Sequence, residues 1–71
     1  MSRDVEFVAS WGDRLRVRLG DGPVYIGVLP DRQAQEIDIF GGELEDEDFR
    51  WVSVEPRDML ELAHLIIKEY T

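Results

Sequence analysis

The sequence predicts a small α+β fold: an antiparallel, meander-like sheet of four to five strands with one C-terminal helix packed across one face. Three observations carry this prediction. Apolar residues alternate with polar ones along residues 14–19, two turn segments bring neighbouring strands into one register, and apolar residues recur at helical spacing over residues 56–70. We expect all 71 residues to form a single domain, near the lower size limit for a self-supporting core.

The first two strands are expected at residues 5–10 and 14–19, joined by the three-residue loop Trp11-Gly12-Asp13. This loop length pairs Phe7 with Val17, and cross-strand partners share a face of the sheet. The inward face then carries Val5, Phe7, Ala9, Leu15, Val17 and Leu19.

The third strand is expected at residues 23–29, after a turn in which Asp21-Gly22 is typical of a type I′ hairpin. With this pair at the tip, Leu19 pairs with Val24 and Val17 with Ile26. This pairing puts Val24 and Ile26 on the same inward face as Val17 and Leu19. Two separate turns therefore indicate one inward face for the three-stranded meander.

Residues 31–35 are interpreted as a polar connection after Pro30, and residues 36–40 as a fourth strand with Ile37 and Ile39 facing inward. A fifth strand is expected at residues 49–54. Its inward residues are either Phe49 and Trp51, or Val52 and Val54.

Residues 56–70 have the pattern of a helix. Pro56 suits the first helical position, and Asp58 and Lys68 complement the two ends of the helix dipole. An arc of about 160° is apolar, wide enough to cover a sheet face. It consists of Met59, Leu60, Leu62, Ala63, Ile66, Ile67 and Tyr70. Leu65 falls outside this arc and is expected to be exposed.

The negative charge is concentrated in the second half of the chain. Acidic and basic residues balance over residues 1–35, whereas residues 36–71 carry the whole net charge of −8. Such a charge opposes direct binding of nucleic acid and of anionic membranes, and favours another protein with a basic surface. The densest stretch contains Glu43, Glu45, Asp46, Glu47 and Asp48.

This stretch, residues 43–48, is called the acidic segment below. A calcium loop of the EF-hand type needs alternating oxygen ligands around a glycine, whereas this stretch has no internal glycine and Leu44 interrupts the alternation. Two interpretations stay open: a solvated connection between strands, or an anionic patch for a basic partner.

Three arginines, Arg14, Arg16 and Arg18, alternate along the second strand and share the outer face with Tyr25. Such a surface binds RNA or single strands in some sheets. The net charge favours the other interpretation, in which acids pair with the arginines and their stems cover neighbouring apolar residues. The candidate acids are Glu6, Glu36, Asp38 or another acid, and the covered residues are Val8 and Leu29.

Trp11 lies at the first hairpin, where it either folds back on its own sheet or anchors a partner. His64, the single histidine, falls on the polar side of the predicted helix, and no nucleophile, nucleotide-binding or metal motif surrounds it. There is no cysteine for a disulfide or thiolate site. We therefore expect no enzymatic activity, no cofactor and no metal. Without a signal or membrane span in the sequence, the cytoplasm is the default location.

The function predicted from these patterns is that of a small acidic protein-binding module, an inhibitor or accessory subunit that acts on a basic surface. One version mimics nucleic acid, with carboxylates in place of phosphates; in size and charge, though in no motif, the chain resembles small acidic anti-defence proteins of phages. The alternative is a structural homodimer formed through the outer sheet face or an edge strand. Partner contacts are expected at the acidic segment, Trp11, Arg14, Arg16, Arg18 and Leu65.

Overall fold

The computed structural model describes residues 2–71 as a four-stranded antiparallel sheet, two α-helices and a short 3-10 turn. The strands lie in the order β1-β2-β3-β4, so the α+β class is confirmed. The elements are β1 (Arg3–Val8), β2 (Arg14–Leu19), β3 (Val24–Leu29), α1 (Asp31–Ile39), the 3-10 turn (Asp46–Asp48), β4 (Arg50–Val54) and α2 (Pro56–Tyr70).

The β2–β3 register is as predicted, with Val17 opposite Ile26. The turn type is wrong, because neither residue of Asp21-Gly22 has the positive φ that a type I′ turn requires. The β1–β2 pairing is shifted, since Val5, not Phe7, lies opposite Val17. The shift is two residues, so each side chain keeps its predicted face.

The predicted strand at residues 36–40 is wrong, because these residues belong to α1 and its C-terminal cap. Ala34 and Ile37, three residues apart, point toward the sheet and pack in the core. Ile39 is 79% exposed, so the alternation of Ile37 and Ile39 does not reflect a strand. The sheet consequently has four strands.

Gly41 and Gly42 end α1 in a Schellman motif. The Gly42 amide donates to the carbonyl of Ile37, the Gly41 amide donates to that of Asp38, and Gly41 has a φ of 73°. This left-handed conformation favours glycine. The chain therefore leaves α1 directly into the acidic segment.

The core lies on the face that the sequence indicated as the outer one. Leu29, 1% exposed, packs with Ala34 of α1 and with Phe49, and Trp51 borders this cluster. Of the two alternatives for residues 49–54, the pair Phe49 and Trp51 is therefore the inward one. Arginine stems were expected to cover Leu29, whereas the structure packs Ala34 of α1 and Phe49 against it.

The opposite sheet face is apolar and only partly covered, and Val24 on it is buried, with 9% exposed; it is called the apolar face below. Val52 is 59% exposed and Phe7 52% exposed. Its residues, set by the strand registers, are Val5, Phe7, Leu15, Val17, Leu19, Val24, Ile26, Val28, Val52 and Val54.

The predicted helix forms as α2, but its predicted packing across the sheet is wrong. No residue of α2 is buried. Met59 and Ala63 are partly covered, whereas the residues beyond Ala63 are exposed. Within residues 2–71, no helix has the length and apolar content that crossing a bilayer requires.

Candidate functional site

The acidic segment is fixed to the sheet by two neighbouring arginines of β2. Arg16 donates to Asp46 Oδ1 at 3.1 Å and to the Leu44 carbonyl at 3.0 Å, while Arg18 donates to Asp46 Oδ2 at 2.8 Å. The Asp46 carboxylate thus bridges the guanidinium groups of Arg16 and Arg18. These two arginines lie on the same sheet face because they are two residues apart on β2, where side chains alternate between the faces. Asp46 is therefore paired with two arginines of the same chain.

Each arginine also binds an acid of β1 that lies directly opposite it. Arg18 makes two hydrogen bonds with Asp4, both 3.0 Å, and Arg16 Nε lies 3.6 Å from Glu6 Oε2. The predicted neutralisation of the arginine stripe is thereby confirmed for Arg16 and Arg18, with Glu6 among the predicted partners. Asp4 and Asp46 take the place of Glu36 and Asp38.

Aromatic rings support the same two guanidinium groups from the β4 side. The Arg16 Cζ atom lies 4.4 Å from the ring centroid of Phe49, and the Arg18 Cζ atom lies 5.1 Å from that of Trp51. The Trp51 indole N–H donates to the Asp46 carbonyl at 2.7 Å. The arginine, aromatic and acidic groups therefore form one connected cluster that holds the acidic segment in place.

These contacts shift the titration of the acids involved. The hydrogen bond from Arg18 lowers the pKa of Asp46 below its usual value, and Arg16 adds to the effect. Arg18 lowers the pKa of Asp4 in the same way, and both acids raise the pKa of Arg18. All three groups are thus held in their charged forms at neutral pH.

The remaining glutamates of the segment, Glu43, Glu45 and Glu47, are exposed and are bonded to no arginine or lysine among residues 2–71. The pKa of Glu45 is raised, mainly through its contact with Glu47 and further through the charges of Asp48 and Glu43. The Asp48 carboxylate binds within the segment, where it accepts a hydrogen bond from the backbone N–H of Glu45 at 2.9 Å. Three like charges are therefore held close together and exposed to solvent.

Comparison with family models, curated proteins and solved structures finds no match.

Trp11 does not fold back on the sheet; 71% of its surface is exposed. Its indole N–H donates to Asp13, whose other carboxylate oxygen accepts the Asp31 amide at 2.9 Å. These bonds lower the pKa of Asp13, with the Asp31 amide the larger cause. The hairpin tip is in this way tied to the first turn of α1, and Trp11 is left as an exposed aromatic side chain.

The predicted site residues fall into three separate places. Arg16 and Arg18 meet the acidic segment on the core-bearing face, Trp11 is at the β1–β2 hairpin, and Leu65 is on α2, exposed as predicted. Arg14 lies opposite Val8 and Leu29 in the sheet registers. Trp11 is hydrogen-bonded to Asp13 and Leu65 is 65% exposed, so the structure does not bring either into the arginine cluster of the acidic segment.

His64 lies on α2 beside an open surface depression lined by that helix alone, including Leu60, Leu65 and Lys68. A site for chemistry on a substrate needs groups that converge from several elements around it. Within residues 2–71, no group of three acids or histidines is placed to hold a metal ion. The arrangement around His64 is that of an exposed helix surface.

The sequence patterns did not predict that the apolar face and α2 together form an exposed apolar surface. The arc of α2 named above, called the apolar stripe from here on, is covered only in part at Met59 and Ala63; Ile67 is 59% exposed. Uncovered apolar patches of this extent mark interaction sites. The signal was present in the sequence as the alternation of β2, but it was assigned to an intramolecular core.

Proposed function

We propose that this chain is a small acidic, non-enzymatic protein-binding module that acts on a basic protein surface, as an inhibitor or an accessory subunit. The observation that supports it is the fixed acidic segment. Arg16 and Trp51 bind backbone carbonyls of the segment, and Arg16 and Arg18 bind the Asp46 carboxylate. Glu43, Glu45 and Glu47 project without a basic partner among residues 2–71.

The electrostatic cost within the segment favours a basic partner. The pKa of Glu45 is raised first by its side-chain hydrogen bond with Glu47 and then by repulsion from the neighbouring carboxylates. A cationic surface would relieve that repulsion, and the fixed backbone means that little ordering entropy is lost on binding. The net charge of −8 would also speed the approach of a basic protein at low salt.

Mimicry of nucleic acid is the specific version of this proposal. In it, the exposed carboxylates occupy phosphate positions on a protein that normally binds DNA or RNA. Such a partner is released by salt and displaced by nucleic acid, because both ligands compete for the same basic side chains.

The test is capture from an extract of the native host on immobilised protein, eluted with increasing NaCl. A variant with Glu43, Glu45 and Glu47 all changed to Gln removes three charges from the segment. The matched control is Glu36→Gln, Asp38→Asn and Glu61→Gln, which removes three charges elsewhere. We expect proteins that elute between roughly 50 and 300 mM NaCl to be lost with the first variant and kept by the control.

The outcome of that capture decides the proposal. Proteins held equally by the wild type and the segment variant, or held without regard to salt, contradict it. Displacement of the captured protein by duplex DNA or by RNA supports the mimicry version.

Self-association is the second candidate function, and the uncovered apolar surface favours it. The outer sheet face offers little free area for a dimer contact, because α1 and the acidic segment pack over it. The edge strands β1 and β4 remain for pairing.

A further inference from the structure

Two apolar surfaces of this chain face solvent at the same time. One is the apolar face of the sheet, and the other is the apolar stripe of α2. Each has the residue pattern of a buried surface, because an apolar sheet face and an apolar helix stripe normally pack against one another.

The exposed area is too large for a folded monomer. The accessible surface is 5954 Å², whereas a folded protein of this mass exposes roughly 4,600 Å². The radius of gyration is 14.0 Å, against about 11 Å for a compact chain of this length. The excess in each chain matches what one subunit contributes to an obligate dimer, whose interfaces bury on the order of 2,000 Å² or more.

The link between β4 and α2 is too short to fold the helix back over its own sheet. β4 ends at Val54 and α2 begins at Pro56, so Glu55 alone connects them, with an extended backbone (φ −62°, ψ 141°). Connections that reverse the chain between such elements usually take two to six residues. The helix is consequently covered only near its start.

The dimensions of the two surfaces match. Fifteen residues give α2 a length of about 22 Å. Strands of five to six residues extend for up to about 20 Å, so one helix lies along most of the apolar face.

Charge also favours a second copy. Within the strands, the apolar face has no acid, and its two charged residues are Arg3 and Arg50 at diagonally opposite corners. One flank of the apolar stripe carries Asp58 and Glu69. The acidic segment lies on the other side of the sheet, so two copies can approach through their least negative surfaces.

We propose that two copies of this chain form a two-fold dimer in which the apolar stripe of each α2 packs on the apolar face of the other copy. The contact is reciprocal, as two-fold symmetry requires, and it leaves both acidic segments on the outside.

The test is sedimentation equilibrium of the full chain with two matched pairs of variants. Ile66→Glu puts a charge in the apolar stripe, and Leu65→Glu puts the same charge on the same helix outside the stripe. Val52→Glu charges the apolar face, and Ser53→Glu charges the opposite face at the next residue. We expect Ile66→Glu and Val52→Glu to raise the dimer dissociation constant by about a hundredfold or more, and the controls to leave it nearly unchanged.

A mixture of the Ile66→Glu and Val52→Glu variants tests whether each helix packs on the sheet of the other copy. The Val52→Glu chain supplies an intact helix, and the Ile66→Glu chain supplies an intact sheet face. One of the two helix–sheet contacts in the mixed dimer is therefore free of both substitutions. We expect the mixture to associate more tightly than either variant alone, which a helix folded on its own sheet does not produce.

The dependence of the melting temperature on protein concentration is a second readout, needed where a disrupted variant dissociates and unfolds together. A melting temperature that rises with concentration supports the dimer by mass action. A monomer at all concentrations overturns the proposal, whether α2 covers its own sheet or another protein covers both surfaces. A dimer that survives both disruptive substitutions, such as one built on edge strands, overturns it as well.

Discussion

The backbone of Gly27 lies against the indole ring of Trp51, its partner across the β3–β4 ladder. A β-carbon placed on Gly27 would be 3.0 Å from three atoms of that ring. Because Trp51 in turn binds the Asp46 carbonyl and supports Arg18, the missing side chain at Gly27 determines how closely the whole cluster packs on the sheet.

Gly27→Ala is expected to destabilise the protein, since the added methyl group pushes the Trp51 ring away from β3. Overpacking of this kind costs about 1–3 kcal/mol. Urea unfolding followed by tryptophan fluorescence measures the change. Gly22→Ala is the control, because a β-carbon there meets nothing within 4 Å; equal effects at the two glycines would contradict the close packing described.

Asp46→Asn is expected to loosen the acidic segment, because the neutral amide binds Arg16 and Arg18 more weakly than the carboxylate does. The Trp51 indole proton, donated to the Asp46 carbonyl, should then exchange with solvent roughly tenfold faster. Exchange followed by NMR gives the measurement. Glu43→Gln removes the same charge from the same segment without touching either arginine, and it should leave the exchange rate unaltered.

The sequence predicted the strands β1 to β3, β4 and α2 because alternation and helical spacing are local signals. It predicted the wrong core, because both sheet faces carry apolar residues and the position of α1 decides between them. Pro30, Asp31 and the Gly41-Gly42 pair are the signals that favour a helix at Asp31–Ile39. The alternation of Ile37 and Ile39 argued for a strand instead.

The ion pairs of the site were partly predictable. Arg16 and Arg18 were expected to pair with acids, since a strand that alternates arginine and apolar residues needs its charge neutralised. Asp46, however, is 28 residues from Arg18 along the chain. The bond forms because α1 and its cap carry the acidic segment across the sheet, and that path depends on the helix that the sequence pattern concealed.

Acid should weaken the arginine cluster. Asp4 and Asp46 have folded-state pKa values below the ordinary 3.8. Their contribution to stability is therefore complete above pH 3.8, and it is lost as the pH falls through the lower folded values. Urea midpoints measured between pH 2 and pH 5 should show this loss, and the loss should be smaller in Asp46→Asn. A loss of equal size in that variant would mean that other acids are responsible.

Glu45→Gln should make the protein more stable at neutral pH, because it removes a charge that its neighbours repel. The raised pKa of Glu45 means that the repulsion is absent below the ordinary value of 4.5 and complete above the folded value. The gain from the substitution should accordingly appear at pH 7 and disappear near pH 4. Thermal melting at the two pH values gives the comparison, and a gain that is the same at both contradicts the assignment to charge.

Salt should act in opposite directions on the two interactions proposed for this chain. Each copy carries a net charge of −8, and the proposed dimer contact is apolar, so raising NaCl from about 20 to 200 mM screens repulsion between copies and tightens the dimer. The same change weakens binding of a basic protein to the acidic segment, because there the charges attract. Sedimentation of the protein alone and capture of the basic partner, measured over one salt series, compare the two slopes. A dimer that weakens with salt would place ionic rather than apolar contacts at its interface, and a partner that binds more tightly would remove the acidic segment as its docking surface.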